Sequence, residues 1–316
     1  MLYIPDTDSI SPLEKIVNDT LGDTLSKATK LRNDADGVRR NIVQYLLSQG
    51  KYEQARSVES CGTFLMFKSY NDALGTSTLE RANFCKHPLC PTCAWRRHIK
   101  YSAILSHGLQ SASGKLSHLV LAVPNSAHLS RGDLMRLKER AKTFVQQKLS
   151  CKNYISNLEI VASDAGYHPH LHILLETDTY YKVNAEWIKR MATEWKKHFS
   201  KKREELYEGY DSFTFYITGI TRENMSGAVQ ELTKYIIKGQ QKISADMIAE
   251  TAEAIHGVRK MSSAGTLKDT IKTGKRLATL ALDDKLAKLS RYEWEYHIYQ
   301  FIHGCYERKM YTDDNL

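Results

Sequence analysis

Between Tyr167 and Leu175 the chain reads Tyr-His-Pro-His-Leu-His-Ile-Leu-Leu, with histidines on alternate positions running into an apolar stretch. Alternation at period two is a strand signal, and side chains at i and i+2 stand on one face. His170 and His172 therefore present two imidazoles side by side, with Leu171 turned to a core behind them. Neutral imidazole is a common metal ligand, and a pair on a rigid strand needs one or two further donors to hold a divalent ion. Three of the 12 histidines fall within five residues here, a density that reads as a site.

A chain of 316 residues can bury a full core, and 42% hydrophobic with 26% charged residues places it among ordinary globular proteins. The net charge of +9 favours an anionic partner such as nucleic acid. No apolar run approaches the ~18 residues of a membrane span, so no membrane partner is expected. Met1 to Asp8 lacks the basic and apolar regions of a signal peptide, and the expected location is the cytoplasm.

The six cysteines are too few for a disulfide scaffold, yet three lie in Phe84-Cys85-Lys86-His87-Pro88-Leu89-Cys90-Pro91-Thr92-Cys93. In a reducing compartment clustered cysteines bind metal more often than they pair. The Cys90-x-x-Cys93 pair with proline between is the tight knuckle that zinc sites use. Structural Zn2+ needs a fourth ligand beside Cys85, Cys90 and Cys93. Cys61, followed by Gly62, is the first choice, with His87 and His98 as alternatives.

Periodicity orders the rest. Residues 1–35 are polar with a weak helical pattern and read as a peripheral arm, and Val38, Ile42 and Leu46 mark a helix. Trp95-Arg96-Arg97 opens another helix, where Arg96 and Arg97 can meet DNA phosphates. Strands are expected at 118–123, 158–162, 170–175 and 213–220, and helices at 132–148, 183–199 and 225–238. The order β-α-β-β-α-β-α is the split βαβ arrangement of a ferredoxin-like α+β domain, an antiparallel sheet with helices on its faces. Residues 243–316 read as helical to about Leu289 and then aromatic-rich. The expected division is an N-terminal helical arm over 1–57, a zinc-binding segment over 58–110, a catalytic core over 111–242 and a C-terminal extension over 243–316.

On the last of these helices, Glu231 and Tyr235 are i,i+4 neighbours and Lys238 lies three residues beyond Tyr235, so all three share a face. A phenol, an ammonium and a carboxylate together suit phosphoryl transfer. The phenol attacks, the ammonium stabilises developing charge and the carboxylate takes a proton from water.

The assembled set resembles the single-tyrosine rolling-circle replication initiators of small bacterial plasmids, within the wider class of HUH endonucleases. Four pieces in order carry the likeness: Cys61-Gly62 with Phe84-Cys85 and Leu89 to Arg97; His118 to Asn125; His168 to Leu175; and Glu231 to Lys238. The second is a looser match, because the family usually has threonines where Leu121 to Val123 stand. The resemblance implies a metal-dependent nickase and strand transferase, with His170 and His172 holding Mg2+ or Mn2+. Glu159 is the choice for third ligand, expected opposite His172 if the hairpin turns at Ala165-Gly166, and His168 is its rival. Tyr235 would form a 5′-phosphotyrosine and free a 3′-hydroxyl primer, Lys238 would assist it, and Glu231 would permit a hydrolytic termination.

The partners implied are plasmid origin DNA, as a single-stranded or hairpin nick site in supercoiled duplex, and a host helicase and polymerase. Lys234 joins Arg96 and Arg97 as a DNA contact, while the 1–60 arm, the zinc segment and the basic run Lys196 to Arg203 are candidates for duplex binding. Oligomeric state is open, a dimer included. A relaxase or single-tyrosine transposase keeps the same chemistry. Relaxases usually carry the tyrosine ahead of the histidines, and such transposases are shorter and lack the cysteine segment. A zinc-dependent DNA-binding regulator is the non-catalytic alternative. A nucleobase deaminase does not fit, since its H-x-E precedes its cysteines.

Overall fold

The computed structural model describes residues 21–208, 212–233, 237–238 and 243–309. In chain order these hold α1 (Leu21–Asp34), α2 (Asp36–Ser48), α3 (Tyr52–Glu59), β1 (Phe64–Tyr70), β2 (Ser77–Ala82) and α4 (Pro91–Leu109). Then come β3 (Lys115–Ala122), α5 (Arg131–Lys148), β4 (Asn153–Ser163), β5 (Gly166–Thr177), α6 (Ala185–Ser200), β6 (Thr214–Ile220) and α7 (Met225–Thr233). The chain continues with β7 (Ile237–Lys238), α8 (Ala245–Ile255), β8 (Met261–Ala264), α9 (Thr266–Leu289), β9 (Trp294–Ile302) and β10 (Cys305–Lys309). The class is α+β, in two compact units: Met1–Ala103 with Arg276–Leu316, and Ile104–Lys275.

In the 104–275 unit the strand order is β6-β3-β5-β4-β7, with β8 also on β4. β3 and β4 each run antiparallel to β5, so they are parallel to one another with β5 inserted between them. This is a split βαβ unit, consistent with the ferredoxin-like expectation. α5 presents Leu134, Leu137, Ala141, Phe144 and Val145 on one stripe, and its first turn is closed by a capping box between Ser130 and Asp133. Asn184 caps α6 by accepting from the Trp187 N–H at 2.8 Å.

Both helices cover the sheet face that carries Leu119, Leu121, Leu158, Ile160, Leu171 and Ile173, each no more than 2% exposed. Phe144 meets Trp195 and Phe215 edge-on at 5.3 and 6.0 Å, and the Trp195 indole N–H donates to the Ala122 carbonyl at 2.8 Å. Burying such a side chain contributes about 1.5–3 kcal/mol each, so this apolar face fixes which residues must turn to the other side.

The opposite face carries the cross-strand rows Ala122–His170–Glu159 and Val120–His172–Asn157, followed by His118–Leu174–Ile155. One end of it is closed by Val229 and Leu232 of α7 and Leu267 of α9, packed on Leu116, Ile155, Leu174 and Ile220. The polar rows at the other end are where chemistry has room.

The unit containing both chain ends is built on the sheet β10-β9-β1-β2. Its inner face packs Leu65, Phe67, Leu79 and Ala82 with Leu21 and Leu25 of α1. The stretch expected to be a peripheral arm therefore supplies a packed helix. Arg32 is buried, its guanidinium donating to the carbonyls of Cys61 and of Glu59 and lying 4.8 Å over the Phe301 ring. The C-terminal aromatics form the β9–β10 hairpin, and β8 interrupts the helical run expected over 243–289.

In the 104–275 unit the last turns of α4 meet the first turns of α9 at a glycine pair. A Cβ on Gly274 would stand 2.1 Å from the Ile104 carbonyl oxygen, and one on Gly108 2.4 Å from that of Thr270. No rotamer change relieves a clash with backbone, so Gly274→Ala is expected to destabilise the chain by about 1–3 kcal/mol. A urea midpoint equal to that of the parent chain would show that the helices do not meet there.

Candidate metal centres

Glu159, His170 and His172 converge on the polar sheet face, with one donor atom from each within 4.8 Å of the others. The β4–β5 register pairs Glu159 with His170, and His172 with Asn157. The expectation that Glu159 faces His172 is corrected by two residues, because the turn lies at Asp164-Ala165, between the paired Ser163 and Gly166. A two-residue shift keeps every side chain on its face, so the ligand set survives the change. Gly166 closes the turn at φ +92°, and a Cβ there would lie 2.3 Å from the Ser126 carbonyl oxygen. Backbone bonds between Ser126 and Tyr167, at 2.8 and 2.9 Å, pin the start of β5.

The Glu159 Oε2 atom lies 2.8 Å from His172 Nε2 and 3.3 Å from His170 Nε2. The carboxylate is 1% exposed. Burial pushes its pKa up, but hydrogen bonds from His170 and His172 outweigh that and hold the carboxyl below the ordinary range. His170 Nδ1 lies 3.2 Å from the His168 carbonyl oxygen, a contact that orients the ring with Nε2 toward Glu159. His168 itself turns to Asn125, its Nδ1 2.8 Å from the amide oxygen, and it is not in the converging group. Burial and the nearby His170 lower its pKa.

His118 is the residue that sequence reading missed. Its Nε2 lies 3.0 Å from His172 Nδ1, and the rings stack with centroids 5.2 Å apart. Were a metal held at His172 Nε2, the proton would sit on Nδ1 and be donated to His118 Nε2. This is the support that orients metal-binding imidazoles. Its signal was alternation within β3, where His118 shares a face with Val120 and Ala122, but the pairing with β5 is non-local. Two imidazole nitrogens and one carboxylate oxygen suit a divalent ion and leave its remaining positions to solvent or substrate.

Glu231 lies on α7 and is half-buried. The described helix runs Met225–Thr233, and Ile237–Lys238, expected to belong to it, pair instead in parallel with Ile160 and Val161 of β4. The Thr233 hydroxyl donates to the Val229 carbonyl at 2.9 Å, and β-branched Ile237 suits its place on a strand. Lys238 is thus on a strand, and helical spacing does not bring it onto Glu231's face. Tyr235 and Lys234 lie outside the described residues.

In the other unit the sulfurs of Cys61, Cys85, Cys90 and Cys93 gather within 4.8 Å. The separations are 3.6 Å for Cys61–Cys93 and Cys61–Cys90, and 3.7 Å for Cys85–Cys93. A disulfide needs about 2.05 Å, whereas a tetrahedron with metal–sulfur bonds of about 2.3 Å has edges of about 3.8 Å. The spacing fits a tetrahedral ion. His87 and His98 are not in this group. The Cys85 and Lys86 N–H groups donate to the Cys61 and Cys93 sulfurs at 3.4 and 3.2 Å, which favours thiolates. The shared bonds of the cluster hold the Cys90 thiol well below its ordinary pKa, while bonds within the cluster and burial push those of Cys61 and Cys85 up. Gly62, at φ +71°, makes the turn after Cys61. Arg96 is buried with its guanidinium 3.7 Å over the Phe84 ring, and the Arg97 guanidinium donates to the Pro88 carbonyl at 2.6 Å, so both brace this cluster.

Among the described residues no helix is long and apolar enough to cross a membrane. The family model described as "Replication protein" matches residues 76–297, more than half of the chain. The chain belongs to that family. It is 27% identical over 237 residues to a "Protein rep" of Lentilactobacillus hilgardii, covering 69% of this chain and 74% of the relative. It is 28% identical over 243 residues to a "Protein rep" of Lactiplantibacillus plantarum, with the same coverage of 69% and 74%. A "Protein rep" of Streptococcus pneumoniae serotype 2 is 30% identical over 197 residues, covering 57% of this chain and 59% of the relative. These matches support the likeness to rolling-circle plasmid initiators read from the motifs.

Two outcomes are expected. Cys90→Ser should lose the metal that elemental analysis finds on the parent chain and should melt at lower temperature; equal metal content in both would remove the thiolate site. His118→Ala should weaken Mn2+ binding by about 10–100-fold in calorimetry, as loss of a supporting hydrogen bond does elsewhere. Unchanged affinity would reduce His118 to packing.

Proposed function

We propose that this protein is a plasmid rolling-circle replication initiator that nicks one strand of its origin through Tyr235. The observation that carries the reading is the convergence of Glu159, His170 and His172 on the sheet face that α7 packs against. Family membership supplies the biological setting. The setting is the cytoplasm, where plasmid DNA, a host helicase and a host polymerase are found.

Glu159, His170 and His172 would hold Mg2+ or Mn2+, which supplies Lewis acidity and orients the scissile phosphate. Nitrogen ligation favours Mn2+ over Mg2+ in affinity, whichever ion the cell supplies. In the four-thiolate cluster Cys61, Cys85, Cys90 and Cys93 would hold Zn2+ in a structural role. Tyr235 stands in sequence between the end of α7 at Thr233 and β7, whose Ile237 pairs with Ile160, the residue after Glu159. The pairing of Ile237 beside Glu159 supports assigning this part of the sequence to the metal site.

The phenol, with an ordinary pKa of about 10, gives up its proton and its oxygen attacks phosphorus. The bond from phosphorus to the 3′-oxygen breaks, the 3′-oxygen takes up a proton, and a 5′-phosphotyrosine remains. The phosphodiester energy is conserved, so no nucleotide is hydrolysed. The Lys238 ammonium stabilises charge on the phenolate and the phosphate, and Lys234 contacts the strand. When the round ends Glu231 accepts a proton from water, which attacks phosphorus at the regenerated site; the 3′-oxygen leaves and takes up a proton. This 3′-hydroxyl rejoins the displaced strand by attacking the 5′-phosphotyrosine, with the Tyr235 phenol as leaving group.

Incubation with single-stranded origin DNA and Mn2+, followed by denaturing electrophoresis, tests this. The parent chain should shift as a covalent adduct and Tyr235→Phe should not; an adduct retained by Tyr235→Phe assigns the nucleophile elsewhere. Glu231→Ala should make the first cut at parental rate and accumulate unterminated product. Normal termination in that variant would remove the glutamate's role.

A further inference from the structure

The sheet face opposite the metal ligands is covered by α5 and α6, which together with the turn after α6 are strongly basic. The 37 residues of α5, α6 and Lys201–Arg203 hold 13 Lys and Arg against four Asp and Glu, a surplus equal to the chain's net +9. The remaining residues are neutral in sum. A surplus so concentrated is a local field, whereas a uniformly basic protein would spread it.

The charge is organised around an open groove of about 500 Å³ between the two helices, lined by Arg140, Lys148, Lys197 and Lys201 together with Glu194. Glu194, the carboxylate among the described lining residues, is already engaged by Lys148 at 2.7 Å and Lys197 at 3.8 Å. The Arg140 guanidinium donates to the Lys201 carbonyl at 3.2 Å, and Arg136 donates to the carbonyls of Phe199 and Lys201 at 2.7 and 3.2 Å. These bonds tie the end of α6 to α5. Lys202 follows at φ +71°, a turn that leaves Lys201, Lys202 and Arg203 exposed in succession. The floor registers the field, since burial and then the cations Arg140, Lys148 and Lys201 lower the His198 pKa, and the ring instead bonds the Thr143 hydroxyl at 2.8 Å.

The geometry points to a second DNA contact, in which this groove and the Lys201–Arg203 turn hold the phosphate backbone of duplex DNA on the side of the sheet away from the metal ligands. Duplex is favoured over a single strand because the described groove residues offer cations and no exposed aromatic ring on which bases stack. Such contacts position a duplex without reading its sequence. The choice of DNA as the polyanion rests on the replication-initiator reading.

The test uses the full chain and a random-sequence duplex of about 30 base pairs, titrated at several salt concentrations. The triple variant Lys197→Gln, Lys201→Gln, Lys202→Gln should bind about tenfold or more weakly at ~0.1 M salt, with the log–log salt slope reduced by about 2–3. Replacing the same three lysines by arginine should retain parental affinity. Unchanged binding by the glutamine variant, or equal loss in the arginine variant, overturns the proposal. So does binding of phosphatidylserine vesicles through these lysines with duplex affinity untouched. Adduct formation on single-stranded DNA of its own replicon should be equal in parent and variants. A parent that binds duplex through the groove yet forms no adduct would sink the nickase reading and leave the groove standing.

Discussion

A one-residue slip of β4 against β5 would turn Glu159 into the apolar layer beneath α5 and α6 and replace it on the polar face with Leu158 or Ile160. The register prevents this from both sides of the sheet. Leu158 and Ile160 are committed to the core with Leu171 and Ile173, while Glu159 is engaged by both ligand imidazoles. Taking a carboxylate to 1% exposure costs several kcal/mol unless it is paired, and here the partners are the other two ligands. The hairpin turn then needs a positive-φ residue, and Gly166 supplies it where any side chain would strike the Ser126 carbonyl. Sheet core, turn and ligand set are thus one constraint.

Much of this was legible in the sequence because it is local. The alternation through His168 to Leu175 announced both the strand and the face of its histidines, and the apolar stripe of Leu134, Leu137, Ala141 and Phe144 announced α5 with its buried side. The Cys90–Cys93 knuckle, with Cys61 as first choice beside Cys85, named the four sulfurs that the fold gathers. What escaped was set by distant pairing. The hairpin register depended on a turn held by Ser126, some forty residues upstream, and His118 gained its partner only when β3 paired with β5. The strand at Ile237–Lys238 was missed because Glu231 to Lys238 fits helical spacing, while β4 offers a backbone edge that Ile237 takes instead. The pairing of β1 with β9 spans more than two hundred residues and leaves no local trace.

The 104–275 unit separates its two sheet faces by character. A sheet has two faces, and helices here cover one wholly and the other at one end, so an electrophilic site and a cationic helical surface can occupy opposite sides without competing for residues. The apolar layer between them keeps each rigid, since Phe144, Trp195 and Phe215 couple the helices to the strands that bear the ligands. The helix surface can therefore vary in charge without disturbing the histidines, and the polar face can be tuned without loosening the helices.

The two units differ in how the ribosome delivers them. Ile104–Lys275 is one uninterrupted stretch, whereas the sheet beside the cysteines needs β1 from before it and β9–β10 from after it. During synthesis the stretch with the histidines is complete while β1 still lacks its neighbour β9, and the Tyr306 hydroxyl that bonds the Gly62 carbonyl has not been made. The last strands close a loop of more than two hundred residues, at an entropic cost that grows only slowly with its length. A chain cut before β9 would therefore keep all of Ile104–Lys275 and leave β1 without its neighbour and the Gly62 carbonyl, beside the thiols, without the Tyr306 hydroxyl.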